Sequence, residues 1–87
     1  MTAIKYLCQG LESKKKITLL LKLTSTKENI QGGIFDHLVN NLSISQSAML
    51  NNLTPGNLSV AIKDLNAIAE VVEKINEFNV YDKSHTK

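Results

Sequence analysis

The sequence predicts a small all-α domain, and three observations carry that prediction. Apolar residues recur at helical spacing over residues 30–39 and again over 58–78, the pattern of helices with one buried face. Short segments rich in serine and threonine precede helical runs and have the chemistry of N-caps. The single proline, Pro55, directly follows one of these caps, where its fixed φ suits the first helical position. The 87 residues, 43% of them hydrophobic, suffice for one modest core and not for two, so residues 1–87 are expected to form a single domain.

Residues 1–13 show no periodicity and read as an N-terminal arm, broken at Gly10, with Tyr6, Leu7 and Leu11 as anchors. A short helix is expected from Lys14 to Leu23, although its three leading lysines oppose the helix dipole. For so short an apolar run a strand is the alternative. Ser25-Thr26-Lys27-Glu28 then fits a capping box with Ser25 as the N-cap. The helix it opens would bury Ile30, Ile34, Phe35, Leu38 and Val39. Gly32-Gly33 lies inside that helix and costs about 1 kcal/mol per glycine relative to alanine, which calls for close approach of a neighbouring helix. Asn40-Asn41 suits a left-handed exit, and residues 14–41 together form the N-terminal helical part.

A second capping box, Ser43-Ile44-Ser45-Gln46, opens a helix that must end before Thr54-Pro55-Gly56. Thr54 and Pro55 are the N-cap and first residue of the next helix, which buries Leu58 and Ile62. Two short helices joined by about three residues make a helix-turn-helix over residues 43–66. Ala48 is small where the helices cross, Asn52 tolerates the positive φ of the turn, and Leu53 enters the core. Thr54, Pro55, Gly56, Ser59, Val60 and Lys63 are left facing outward, with Asn57 beside them. Helical spacing continues through Ile68, Val72, Ile75 and Phe78. An unbroken helix over 55–78 would be about 36 Å long, more than the width of so small a domain. It either breaks near Asn66 or protrudes and packs against another chain. In both cases residues 67–79 form a C-terminal oligomerisation helix with Ile68, Val72, Ile75 and Phe78 at the interface, followed by a polar, fraying tail at 80–87.

Charge is unevenly divided. Residues 1–27 carry net +5 and the remainder −3, for a total of +2. Lys14, Lys15 and Lys16 form a cluster suited to phosphate contact, for which lysine serves as a point charge. The chain has no arginine, so the bidentate arginine contact to guanine is excluded. No paired metal ligands, nucleophile with a base, or phosphate-cradling glycine loop is evident, so neither an enzyme, a cofactor, a metal nor a small-molecule ligand is expected. His37 is expected in solvent, and Asp36 with Glu70, Glu73 and Glu77 on an exposed acidic face. A lone cysteine, Cys8, and the absence of an export signal or an apolar run long enough for a bilayer make the cytoplasm the expected compartment.

Residues 17–78 resemble the PapB-type adhesin-biosynthesis regulators of fimbrial operons. The matching blocks are Leu23-Thr24-Ser25, then Phe35 through Ser43 (FDHLVNNLS), then Leu53 through Leu65 (LTPGNLSVAIKDL). The resemblance implies a transcriptional regulator that binds AT-rich double-stranded DNA as a dimer or higher oligomer, activating at low occupancy and repressing at high occupancy. The chain departs from that pattern where Ile44, Ser45 and Val60 stand in place of basic residues. Lys63 is the only cation on the expected reading surface, so affinity per monomer should be weak. Asn57 and Ser59 suit adenine edges or phosphates, and Val60 suits a thymine methyl. The alternative expectation is a protein-interaction module that modulates another regulator by association.

Overall fold

A computed structural model describes residues 6–85, with side chains through Phe78. The described chain is all-helical, with α1 at Lys14–Leu21, α2 at Glu28–Leu38, α3 at Ile44–Leu50 and α4 at Pro55–His85. α2 and α4 each pack against all the other helices, and α1 and α3 lie on either side of that pair without meeting. Their shared core includes Ile17, Ile34, Leu38, Ala48 and Leu58, each no more than 1% exposed.

α1 starts where the lysines begin because the Ser13 hydroxyl accepts from Lys16 N–H at 3.1 Å. Glu12 offsets the lysine charge there. One of its carboxylate oxygens lies 2.9 Å from Lys16 Nζ and the other accepts from Cys8 N–H at 2.7 Å. The helix ends at Leu21, two residues early, and Leu23 is exposed. The expectation for Ser25 as an N-cap is overturned: α2 starts at Glu28, with Lys27 in the cap position and no side-chain cap. Threonines organise this linker instead. Thr24 Oγ1 donates to the Leu21 carbonyl at 2.9 Å and lies 2.6 Å from Thr26 Oγ1, while Gln31 Nε2 donates to the Thr26 carbonyl at 2.8 Å.

The close approach expected at Gly32-Gly33 is present. A Cβ on Gly33 would lie 3.0 Å from Leu58 and 3.1 Å from Leu53, and one on Gly32 would collide with the Asn51 side chain. Asn41, at φ 65°, makes the left-handed exit of α2. Asp36 and His37 depart from expectation, since both are half-buried and structural. The Asp36 carboxylate accepts from Asn51 Nδ2 at 2.8 Å and from Asn40 Nδ2 at 3.1 Å, which ties α2 to the end of α3. The His37 ring Nδ1 lies 2.8 Å from the Leu42 carbonyl.

The arm is stitched into the fold rather than loosely attached. Gly10 N–H and Glu12 N–H donate to the carbonyls of His37 and Leu38, satisfying the orphan C-terminal carbonyls of α2. Asn66 Oδ1 accepts from Tyr6 N–H at 2.8 Å and Leu7 N–H at 2.9 Å. Leu7 is buried, but Leu11, expected as an anchor, is 79% exposed. Asn66 therefore marks a clamp and not a break: α4 runs uninterrupted through 31 residues, about 46 Å at 1.5 Å per residue. It extends past Phe78 through residues expected to fray. None of the helices among the described residues is long and apolar enough to cross a membrane.

Candidate nucleic-acid interface

The site is built on α3, the turn at residues 51–54 and the first three turns of α4. Ser43 caps α3, its hydroxyl accepting from Gln46 N–H at 3.1 Å. The reciprocal half of the capping box, from Gln46 back to Ser43, is not formed among the described hydrogen bonds. Ala48 is fully buried at the crossing, and its carbonyl accepts from both Asn51 N–H and Leu53 N–H, at 3.1 and 2.8 Å. The chain reverses at Asn52, whose φ is 57°, a conformation that asparagine tolerates better than most residues. Leu53 packs on the core as it leaves the turn. The Thr54 hydroxyl then accepts from Asn57 N–H at 3.1 Å, and Pro55 takes the first position of α4.

Leu58 anchors this part of α4 in the core, with Ile62 half-buried beside it. Thr54, Pro55, Gly56, Asn57, Ser59, Val60 and Lys63 are all exposed. Gly56 has open space around its Cα on the side where a Cβ would stand, so no packing demand among the described residues explains it. Met49 and Leu50 on α3 are 70% and 63% exposed, which sequence patterning did not single out.

The lysine cluster lies elsewhere. α1 flanks the second half of α4, where Lys15, Lys16, Leu19 and Leu23 face Val72, Glu73 and Asn76 across an open groove of about 430 Å³. Val72 is about 25 Å along α4 from Pro55. Lys14 and Lys15 are exposed, whereas Lys16 is engaged by Glu12. Within one chain these lysines do not join the face of Thr54 and Lys63.

Of the residues expected at an oligomer interface, Ile68 and Val72 are half-buried against the chain's own core, and Ile75 and Phe78 are 53% and 64% exposed. Val71, at 57%, was not anticipated. The expected acidic face is partial. Glu73 and Glu77 are exposed, while Glu70 is half-buried and pairs with Lys74 at 3.0 Å. The hydrogen bond to Glu70, reinforced by its charge, raises the Lys74 pKa. Among the described residues there is no cluster of three or more potential metal ligands. No protein-family model, curated protein or solved structure matches the chain.

Proposed function

We propose that this protein is a DNA-binding transcriptional regulator that engages AT-rich duplex as an oligomer, with fimbrial or adhesin genes as the target class suggested by its resemblance to the PapB-type regulators. The observation that carries the reading is the outward face of Thr54, Pro55, Gly56, Asn57, Ser59, Val60 and Lys63. It stands on the solvent side of a helix held by Leu58 and preceded by the left-handed turn at Asn52. Short polar side chains, an unencumbered glycine and one valine suit close approach to a groove rich in thymine methyls. With Lys63 as the one cation there, affinity per chain is low and assembly on repeated sites makes up the difference.

Mobility shifts on AT-rich duplex at low and moderate salt test the reading. Binding should weaken as salt rises, and Lys63→Ala should weaken it further while reducing the magnitude of the salt slope by about 1. Absence of any shift at low salt, with self-association retained, would reject DNA binding. The exposed Met49, Leu50 and Val60 favour one alternative, a protein-interaction module that pairs with another regulator, and that outcome would support it.

A further inference from the structure

The second half of α4 carries an apolar face that the other described residues leave largely uncovered. At about 100° per residue, Ile68, Val71, Ile75 and Phe78 fall on one side of the helix at spacings of three, four and three. This seam differs from the core-facing row of Leu65, Ala69 and Val72, and three of its four members are more than half exposed. We infer that the seam is the site where a second copy of this chain packs, antiparallel, around a two-fold axis near residue 73.

Charge selects both the occupant and its direction. Glu70 and Lys74 flank the seam, with side chains 42% and 66% exposed. In the antiparallel register that pairs Val71 with Ile75 and Ile68 with Phe78 across the axis, each Lys74 lies within about 3 Å, along the helix axis, of the other copy's Glu70. A parallel two-fold axis would place the Glu70 and Lys74 flanks of the two copies on opposite sides of the seam, so these pairs would be lost. The antiparallel face is therefore complementary to itself, as an isologous dimer requires. The exposed seam is about three turns long. It falls short of the about 800 Å² per partner of a standard interface, so the dimer is weak in free solution.

The inference rests on the DNA-binding reading for its consequence. The outward face of Gly56, Ser59, Val60 and Lys63 lies about a quarter turn around α4 from the seam. An antiparallel two-fold axis then leaves both reading faces on the same side of the dimer, whereas a parallel one turns them in opposite directions. Along the helix axes the two copies of Val60 are about 39 Å apart and those of Lys63 about 30 Å. These values bracket the 34–36 Å between successive turns of the major groove. Between the two faces Glu70, Lys74 and Glu77 carry a net charge of −1 per chain, which disfavours phosphate there relative to the two ends.

The test uses the full chain with Cys8→Ser, carrying either Val71→Cys or Ile75→Cys, one version enlarged by a tag. The two are mixed, oxidised and resolved by mass. The expected product is the mixed 71–75 crosslink, well in excess of either same-residue crosslink. Dominant 71–71 and 75–75 products would overturn the antiparallel packing, and no crosslink at any concentration up to several hundred micromolar would overturn the seam itself. The purified crosslinked dimer is then assayed on duplexes with two AT-rich sites centred 10 or 5 base pairs apart. At least tenfold tighter binding at the one-turn spacing is expected, and equal binding to both would overturn the geometry of the reading faces. A well-formed 71–75 crosslink with no binding to either duplex would instead reject the DNA-binding reading and leave the seam standing.

Discussion

Ser47 is fully buried on α3, and its hydroxyl has no hydrogen-bond partner among the described residues. Leaving such a group unpaired costs about 1–3 kcal/mol, whereas the methyl of alanine would occupy the same place without that cost. Ser47→Ala should therefore stabilise the fold by about 1 kcal/mol, read as a rise of about 4–8 °C in thermal midpoint by circular dichroism. A lower midpoint would show that the hydroxyl has a role in the folded state. At Asn52, where φ is 57°, alanine should cost about 1 kcal/mol and glycine should be tolerated. Urea titration of both variants distinguishes the two effects, and equal stability of Ala and Gly would remove the backbone explanation for this asparagine.

The elements themselves divide by how far apart their determinants lie. Ser43 and Thr54 were legible as caps because each hydroxyl bonds an N–H three residues ahead. The same kind of signal misled at Ser25, because Thr24 and Thr26 bond each other and the end of α1 in the short linker. Asn66 also looked like a punctuation mark in α4. Its amide oxygen instead binds two backbone N–H groups 59 and 60 residues away, a pairing no local pattern reveals. Gly32 and Gly33 gave a correct warning of a close neighbour, but only the packed structure identifies the neighbours as Asn51, Leu53 and Leu58. The Asp36 to Asn51 bond belongs to the same class: two polar residues that look solvated in sequence hold α2 and α3 together.

For the whole molecule, the unbroken α4 decides what the surface can do. Its first half is held by α2 and α3, while its last described side chains stand beyond that cover. Ile75→Asp with Phe78→Asp should leave the monomer's stability within about 0.5 kcal/mol, since both side chains are exposed. The same pair should abolish self-association in sedimentation and cooperativity in DNA titrations. Loss of the helical fold in this variant would show that the residues support the monomer, contrary to their exposure.

The sequence by itself determined the all-helical class, the two capped helix starts, a left-handed exit within Asn40-Asn41, the left-handed turn at Asn52, and the outward set from Thr54 to Lys63. Each depends on periodicity or on contacts within three or four residues, so the chain carries the information locally. Only the tertiary structure decided that α4 is continuous, that the lysines of α1 lie well along α4 from the face of Lys63, and that Val71 rather than Val72 joins Ile75 on the open side. Helical spacing shows that a long helix has several apolar rows. Which row is left uncovered depends on where the other helices end against it, and that is set by packing across the whole chain.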